Sequence, residues 1–367
     1  SADFHIFPGM FLMAGMLEEH DRENFEIIAF SYGPDENDSM RKRIVEAVDE
    51  FVDVHKNSVH QMVEIARKKD LDVAIHRNGH TRHAKTEVFA QRVAPVQINY
   101  LGYPGTIGGD FIDYIVADKI VLPEEHKSYY SEKVISLPHT YQPNDRKRTI
   151  PKTQTSRADF SLPEKALVLC CFNNTFKITP LEFRIWMSVM KKNENSVLWL
   201  LKTNEKAEKN LKEEASKLGV KPARIIFADK LPQEEHLARH KHADLFLDTF
   251  FYNAHTTASD ALWAGLPVVT KRGNQFSARV AASLLTAVGL EELITETEED
   301  YEDLIMKLAE QPRKLKKLKN KLASNILKEP LFDTKRYTRN FEAGIKEAFN
   351  RFSLGLKPDH IDVLEAE

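Results

Sequence analysis

The residues best suited to bind a ligand lie at 248–265 (DTFFYNAHTTASDALWAG), where a strand ends, a loop turns and His255, Thr256 and Thr257 open a helix. The first turn of a helix has unpaired N–H groups and a partial positive charge, and threonine hydroxyls add donors, so this terminus can bind a phosphate. Asp260, about one turn further on, can accept hydrogen bonds from ribose hydroxyls. Ordinary helix capping by threonine explains the same spacing, so both interpretations stay open.

A second candidate is a lysine after the most apolar strand of the second half. Residues 166–172 (ALVLCCF) are strand-like, and Lys177 follows them within the stretch FNNTFK. A lysine at the end of such a strand can neutralise a diphosphate leaving group and so stabilise charge that develops in the transition state. A solvated loop lysine is the alternative.

A glycine-containing loop, YLGYPGT at residues 100–106, gives a weaker signal. Glycine at the end of a strand lets the backbone approach a ligand closely. The spacing matches neither a dinucleotide-binding fingerprint nor a phosphate-binding loop with its lysine.

Two groups of histidines raise the question of a metal. His236 and His240 are four residues apart and share a helix face, as metal ligands do. His242 follows them, and a second group occupies one loop at His76, His80 and His83. Neither group has an obvious carboxylate or cysteine partner, so we expect no metal site. Cys170 and Cys171 lie in mid-strand and are expected in the core.

Short apolar strands alternate with helices along most of the chain. The first half has strand patterns near residues 25–31, 51–54, 71–75 and 96–101, and the second half near 166–172, 197–201, 225–228, 245–247 and 268–270. Alternation with amphipathic helices predicts parallel, doubly wound sheets. Residues 142–164 are polar, contain proline and lack a period, which predicts a linker.

The predicted fold class is therefore α/β, with two Rossmann-like doubly wound domains facing a cleft. The first domain covers residues 1–145, and its opening sequence SADFHIFPGM, without an initiating methionine, leads us to expect that its first strand is missing. The second domain covers residues 146–330, and a final helix in 331–357 is expected to pack back toward the first. Ligands bind at the carboxyl ends of such sheets.

Composition excludes several classes of protein. The 367 residues include 52 Lys and Arg against 55 Asp and Glu, for a net charge of −3, so no general basic field favours nucleic acid. The longest apolar runs are far shorter than the roughly 20 residues of a membrane span. Two adjacent cysteines exclude a disulfide framework. We expect a cytoplasmic protein that binds neither nucleic acid nor a membrane.

Taken together, the segments resemble the catalytic region of O-linked N-acetylglucosamine (O-GlcNAc) transferases, glycosyltransferase family 41, especially its bacterial members. The resemblance covers nearly the whole chain in order and is carried by APVQINYLGYPGT, YSEKVISLPHTYQPNDRKR, FNNTFKITP, EEHLARH, DTFFYNAHTTASDALWAGLPVVT and SARVAAS. It implies a GT-B fold and an inverting, metal-independent enzyme that moves N-acetylglucosamine from UDP-GlcNAc to Ser or Thr hydroxyls of proteins. No cofactor is implied, and tetratricopeptide (TPR) repeats can precede such a region in a full-length protein.

The resemblance also implies a role for each matching residue. Lys177 would stabilise the leaving UDP, with Asn174 beside it, and the ribose would be held by Asp260. The diphosphate would be held by His255, Thr256 and Thr257. The uridine pocket would be lined by His236, Arg239 and the backbone near Leu231. The donor sugar would be bordered by Leu101, Gly102, Pro104, Asn78 and Thr81, with Tyr252 close to it.

Phe7 departs from the family's pattern. Many members have a histidine two residues after His5, and that histidine has been assigned the role of catalytic base; phenylalanine cannot transfer a proton. Either His5 or another group replaces it, or the base is dispensable, or transfer is impaired. One alternative to protein O-GlcNAc transfer is therefore a catalytically impaired UDP-sugar-binding module. Another, as in a related branch of the family, is an enzyme that uses UDP-glucose or acts on asparagine.

Overall fold

Helices and short parallel strands alternate in the first unit of the chain. The computed structural model describes residues 1–152 and 154–365, and this unit comprises Ser1–Lys147 with the segment from Pro330 onward. Its first helices are α1 (Pro8–Glu19), α2 (Ser39–Ala47), α3 (Val59–Lys68) and α4 (Thr86–Ala90). Its first strands are β1 (Ile28–Ser31), β2 (Glu50–Asp53), β3 (Val73–His76), β4 (Val96–Asn99), β5 (Tyr114–Asp118) and β6 (Lys133–Leu137).

The second unit, Arg148–Glu329, repeats the alternation. Its strands are β7 (Leu167–Cys171), β8 (Ser196–Leu201), β9 (Ile225–Ala228), β10 (Leu245–Leu247), β11 (Val268–Lys271) and β12 (Ile294–Thr295). Its helices are α5 (Pro180–Lys192), α6 (Glu205–Lys217), α7 (Gln233–Arg239), α8 (Thr256–Trp263), α9 (Val280–Ala287), α10 (Glu298–Glu310) and α11 (Pro312–Asn325). The chain then returns to the first unit with α12 (Thr334–Ser353) and β13 (Ile361–Asp362).

One six-stranded parallel sheet forms the centre of the second unit. Its order is β9-β8-β7-β10-β11-β12, and every neighbouring pair is parallel. The chain moves outward from β7 to β9, returns to β10 beside β7, and then moves outward on the other side. This is the doubly wound order of dinucleotide-binding folds, and its reversal point lies between β7 and β10.

The first unit has two sheets. One is five-stranded in the order β13-β6-β5-β4-β3, and the other is the pair β1-β2. All the pairings are parallel. Helices α1 and α12 pack on each other and contribute to the core that also contains β4, β5 and β6.

Local sequence explains where the elements begin and why the strands are buried. Thr179 and Glu182 form a reciprocal capping box at the start of α5, as predicted. The continuous apolar run of β7 is buried along its last four residues, which a sheet covered on both faces requires. Cys170 and Cys171 are free and fully buried there, which confirms their place in the core.

Three strands of the first unit lie outside the predicted set: β5, β6 and β13. No α-helix separates β4 from β5 or β5 from β6 among the described residues; a loop and a 3-10 turn (Glu124–Tyr129) connect them instead. A search for strands alternating with helices therefore could not find β5 and β6. β13 has only two residues, too few to give a recognisable pattern. In the predicted linker, residue 153 lies outside the described residues, and the described part contains one 3-10 turn, Ala158–Phe160.

Of the helices that the structure describes, none combines the length and the apolar character needed to span a bilayer.

Candidate functional site

The reversal point of the second unit brings together two loops that are far apart in sequence. One loop follows β7 and carries residues 172–179, and the other follows β10 and carries residues 248–255. Because β7 and β10 are adjacent and parallel, with Leu169 opposite Leu245, both loops leave the same edge of the sheet. Ligands of doubly wound sheets bind at this edge.

Asp248 shapes the loop after β10. Its carboxylate is fully buried and accepts hydrogen bonds from the amides of Thr249 at 2.8 Å and Ala254 at 2.6 Å, and from the Thr270 hydroxyl at 2.7 Å. Burial raises the pKa of Asp248 to about 7 in spite of these donors. Asp248 lies outside the set of site residues predicted from the sequence, although an aspartate directly after a buried strand is a signal for such a role.

Lys177 reaches from the first loop to the second. It ends a 3-10 turn whose N-cap is Asn174, and its Nζ donates a hydrogen bond to the carbonyl oxygen of Asn253 at 3.0 Å. The same ammonium lies 4.1 Å from the ring centre of Tyr252. Burial lowers the pKa of Lys177 to about 8, and the nearby Asp248 carboxylate opposes that shift. The alternative of a solvated loop lysine is excluded by these contacts.

Helix α8 begins at Thr256, so the predicted helix start is confirmed, and His255 is its N-cap residue. The His255 side chain makes no capping hydrogen bond at this terminus. Thr257 instead donates from its hydroxyl to the Asn173 side-chain oxygen at 2.5 Å. The alternative of capping by threonine is therefore wrong, and the first-turn N–H groups keep the ability to bind an anion.

His255 is held as a neutral imidazole. Its Nε2 lies 3.1 Å from the carbonyl oxygen of Ser277, which it can contact only as a donor, and its ring stacks on Tyr252 with centres 4.7 Å apart. Burial, together with the charge of Lys177, lowers the pKa of His255 to about 3. The proton on Nε2 leaves Nδ1 as the acceptor nitrogen.

Asp260 is already engaged within the second unit. Its Oδ1 accepts a hydrogen bond from Arg148 at 2.6 Å and another from Gln233 at 3.1 Å. Both members of the Asp260–Arg148 ion pair are 4% exposed. Burial raises the pKa of Asp260, and the Arg148 guanidinium opposes that shift. Neither Arg148 nor Gln233 was identified from the sequence, because their partner is far away along the chain.

The residues predicted to line a base pocket lie on and before α7. Arg239 donates to His236 Nδ1 at 2.6 Å and to the carbonyl oxygen of Asp229 at 2.6 Å. Its guanidinium also lies 4.7 Å from the ring centre of Phe172, at the end of β7. Burial lowers the pKa of His236 to about 2, so its ring is neutral and carries its proton on Nε2. Leu231 is half-buried in the loop before the helix.

His240 completes the histidine pair that raised the question of a metal. Its Nδ1 lies 2.7 Å from the carbonyl oxygen of His236, and the two rings meet edge to face with centres 4.8 Å apart. Among the described residues, the one group of three side chains arranged to ligate a metal is elsewhere, in the first unit: His5, Glu36 and Asp38.

Asn78 is a centre of hydrogen bonding in the first unit. Its side-chain oxygen accepts from the amide of Ala2 at 3.0 Å and from the hydroxyl of Tyr32 at 2.8 Å, while its amide donates to Asp3 at 2.8 Å. The Thr81 hydroxyl donates to the Asn78 carbonyl oxygen at 3.0 Å. The Asn78 side chain therefore binds the first residues of the chain, through Ala2 and Asp3.

The loop after β4 contains strained backbone. Leu101 has φ of +71°, a left-handed conformation that is costly for a leucine. A side chain at Gly102 would place its Cβ 2.1 Å from the Arg77 carbonyl oxygen, which accepts a hydrogen bond from the Gly102 amide at 2.9 Å. The close approach that requires glycine here is thus to the backbone of Arg77. Pro104 is half-buried in the same loop.

His5 lies close to acidic side chains. Its Nδ1 is 3.5 Å from a carboxylate oxygen of Glu36, and Asp38 belongs to the same group. Phe7 is the N-cap residue of α1, with its ring centre 5.7 Å from that of His5 and 39% of its surface exposed. His5 Nδ1 is thus buried near a carboxylate but has no hydrogen-bond partner among the described residues, and the neighbouring Phe7 ring has no proton to transfer.

Comparison with known proteins gives consistent results. The model of the glycosyl transferase family 41 matches residues 1–155 and 149–341. The chain is 37% identical over its whole length to the probable UDP-N-acetylglucosamine–peptide N-acetylglucosaminyltransferase SEC of Arabidopsis thaliana, of which it covers 38%. A Caenorhabditis elegans UDP-N-acetylglucosamine–peptide N-acetylglucosaminyltransferase is 25% identical over 98% of the chain, which covers 41% of that protein. The chain thus spans about two-fifths of the length of these curated relatives.

A solved structure extends the agreement to three dimensions. A variant of the O-GlcNAc transferase of Thermobaculum terrenum superposes with a TM-score of 0.85 at 26% identity, covering 96% of this chain and 66% of that one. The predicted α/β class and GT-B fold are confirmed by this match. Since the family model accounts for most of the sequence, the chain belongs to glycosyltransferase family 41.

Proposed function

We propose that the chain is the catalytic region of an inverting glycosyltransferase that moves N-acetylglucosamine from UDP-GlcNAc to Ser or Thr hydroxyls of proteins. The observation that carries this proposal is the cluster of Lys177 and His255 at the start of α8, at the reversal point of the second sheet. The names of the relatives support the choice of donor and of a peptide acceptor. Two free, buried cysteines are in keeping with a cytoplasmic location.

The second unit supplies positive charge for a departing diphosphate. In the transfer step, a bond forms between the acceptor oxygen and the anomeric carbon while the bond from that carbon to the β-phosphate oxygen breaks. The electron pair of the broken bond leaves with UDP, and the hydroxyl proton passes to a base. The Lys177 ammonium and the N–H groups at the start of α8 stabilise the negative charge as it develops on the phosphate.

We infer that the same unit holds the planar base of the nucleotide. His236 presents Nε2–H as a donor because Arg239 occupies Nδ1, and the backbone near Leu231 offers further polar groups. A uracil ring has two carbonyl acceptors and one N–H donor, so it can pair with both the Nε2–H donor and the backbone groups. We therefore assign the uridine to the loop before α7 and to that helix.

We also propose that transfer needs no metal ion. A lysine and a helix terminus together provide the charge that a divalent cation supplies in other nucleotide-sugar enzymes. The proton acceptor in this proposal is His5, because its Nδ1 has no hydrogen-bond partner among the described residues and the Glu36 carboxylate, 3.5 Å away, would stabilise the protonated ring. TPR repeats in a longer protein, as in other members of the family, would select the acceptor.

Calorimetric titration with UDP, and separately with UDP-GlcNAc, tests the proposal when EDTA is present. Micromolar binding, worth about −8 kcal/mol, is expected for both ligands, and GDP serves as the control for base recognition. The exposed Lys206 offers a matched variant, Lys206→Met, that should bind like the parent chain. Absence of UDP binding by a folded sample would refute the nucleotide-sugar assignment. Binding that requires added Mg²⁺ would refute metal independence alone.

A second candidate function is UDP-sugar binding without transfer. Phe7 favours it, because this residue stands where many members of the family have the histidine assigned as base. Both candidate functions predict UDP binding in the titration, but only the transferase predicts product in a transfer assay. Mass spectrometry of an acceptor peptide library with UDP-GlcNAc and UDP-glucose distinguishes an active enzyme from a binding module and also identifies the sugar.

A further inference from the structure

The Tyr252 ring contacts both side chains on which the proposed function depends. The Lys177 ammonium lies 4.1 Å from its ring centre. The His255 imidazole stacks on it, with ring centres 4.7 Å apart and planes inclined by 22°. One aromatic ring therefore links a side chain of the loop after β7 to the N-cap residue of α8.

Hydrogen bonds on both sides of Tyr252 fix its backbone in the loop after β10. The Thr249 hydroxyl donates to the Tyr252 carbonyl oxygen at 2.7 Å. The next amide, that of Asn253, donates to the Ser277 carbonyl oxygen at 2.8 Å. The preceding carbonyl oxygen, that of Phe251, accepts from the Ser277 hydroxyl at 3.2 Å. None of these bonds involves Lys177, so the ring is a fixed surface against which the lysine packs.

An aromatic ring suits a lysine that must bind a phosphate. The ring face is negative and attracts an ammonium, most strongly where water is excluded. It carries no net charge, so it leaves intact the positive charge that attracts a diphosphate, which a carboxylate partner would cancel. It also accepts no conventional hydrogen bond. The Lys177 ammonium donates one N–H to the Asn253 carbonyl oxygen, and its remaining N–H groups stay available to phosphate oxygens.

Three other titratable groups of the described residues act on the Lys177 ammonium. The Asp248 carboxylate, with a pKa of about 7, favours the charged amine. Burial raises the pKa of the Cys171 thiol far above its usual range, so that thiol stays neutral. His255, with a pKa of about 3, is neutral as well. The Asp248 carboxylate is held by two amides and the Thr270 hydroxyl, so its effect is independent of the Tyr252 side chain.

We propose that Tyr252 is a positioning residue, whose ring holds the Lys177 ammonium charged and in place beside the start of α8. The aromatic ring carries this effect, and the phenol hydroxyl is not needed for it. Phenylalanine should therefore replace Tyr252 in this role, whereas leucine, which fills similar space without a ring, should not. The consequence for diphosphate binding rests on the proposed function, but the effect of the ring on the lysine can be measured without a nucleotide.

The titration of Lys177 tests the proposal directly. Trace acetylation of lysines with acetic anhydride from about pH 6 to about pH 11, followed by peptide mass spectrometry, gives the midpoint for each amine. In Tyr252→Leu the Lys177 midpoint should fall by about 0.5 to 1 pH unit, while Tyr252→Phe should keep the midpoint of the parent chain. The exposed Lys206 is the internal control. Loosened packing that admits water would raise the midpoint instead, because hydration favours the charged amine.

Calorimetric titration with UDP measures the consequence. At about pH 9, Tyr252→Leu should bind UDP about three- to fivefold more weakly than the parent chain. At about pH 6.5 the Lys177 amine is charged in both proteins, so the difference should shrink to less than about twofold. Tyr252→Phe should bind like the parent at both values. A loss of structure would weaken binding equally at the two pH values.

The two experiments separate this inference from the proposed function. An unchanged or raised Lys177 midpoint in Tyr252→Leu would overturn the role of the ring, and so would a Tyr252→Phe variant that behaves like Tyr252→Leu. If the parent chain itself fails to bind UDP, the proposed function is refuted, and the acetylation curves still decide whether the ring holds the charge.

Discussion

The Nζ of Lys177 and the carbonyl oxygen of Asn253 lie 3.0 Å apart, although 76 residues separate them in sequence. This bond holds the ammonium against the loop that leads into α8, two residues before His255. The charge of the lysine and the partial charge of the helix terminus therefore act at one place.

Replacing Lys177 with methionine should lower turnover far more than it lowers affinity for UDP. The charge on the phosphate grows as the bond to the sugar breaks, so removing the ammonium costs most in the transition state. We expect kcat to fall about 100-fold and Kd for UDP to rise less than about tenfold. Steady-state kinetics and calorimetry on the same samples measure both, with Lys206→Met as control. Equal losses in both quantities would make Lys177 a binding residue only.

Binding of UDP should weaken above pH 8. The pKa of Lys177 is lowered to about 8, so its amine becomes neutral as the pH rises beyond that value and attracts the diphosphate less. UDP favours the charged form, so binding near pH 9 should be accompanied by proton uptake. His255, with a pKa of about 3, stays neutral over this range.

Titrations at about pH 7 and about pH 9, in buffers of different ionisation enthalpy, give the number of protons taken up. The contribution of Lys177 to folding stability changes with pH in the opposite direction to its contribution to UDP binding. Between about pH 8 and the ordinary lysine range the unfolded chain binds the extra proton, so stability from this group rises with pH. In Lys177→Met the pH dependence of binding should vanish; if it persists, another group is responsible.

Replacing Arg148 with methionine should destabilise the second unit by about 3–5 kcal/mol, because it leaves the buried Asp260 carboxylate without its cation. Burial already raises the pKa of Asp260, and without Arg148 that carboxyl would be neutral over a wider pH range. The loss should therefore be smaller near pH 5 than near pH 8.

Denaturant unfolding at the two pH values measures this loss. Arg272→Met is the matched control, because the Arg272–Glu296 pair is exposed and should contribute less than about 1 kcal/mol. The double variant Arg148→Met with Asp260→Asn should recover part of the lost stability. An Arg148→Met effect no larger than that of the control would show that the pair is not needed to stabilise the carboxylate.

Substitutions at His5 and Phe7 identify the proton acceptor. If His5 is the base, His5→Ala should lower kcat at least about 100-fold while UDP affinity in the second unit is kept. Phe7→His should then change kcat less than about tenfold, and Phe7→Leu should behave like the parent chain. A large gain in transfer for Phe7→His, from a parent with little activity, would instead identify this chain as an impaired enzyme.

The local features of the candidate site could be predicted from the sequence. The apolar run of β7, the helix start at Thr256 and the capping box of Thr179 and Glu182 depend on neighbours a few residues away, so their patterns are visible in one pass along the chain. The resemblance also singled out Lys177, His236 and Arg239. Strands β5 and β6 were not predicted because, in the part of the chain that the structure describes, no α-helix lies between β4 and β5 or between β5 and β6.

The partners of these residues could not be predicted. Asp260 pairs with Arg148 at a separation of 112 residues, and Asn173 with Thr257 at 84 residues. Such pairs depend on the order of strands in a parallel sheet, which local periodicity does not encode.

The sequence by itself therefore determined the class of fold, the start of α8 and the chemical types available at the site, since each follows from short-range spacing. Only the tertiary structure decided that the Asp248 carboxylate accepts the amide of Ala254 and so holds the loop after β10, and that Arg148 forms an ion pair with Asp260. The physical reason is that a parallel sheet places its strand ends side by side through long connections, and burial then settles which polar groups must pair.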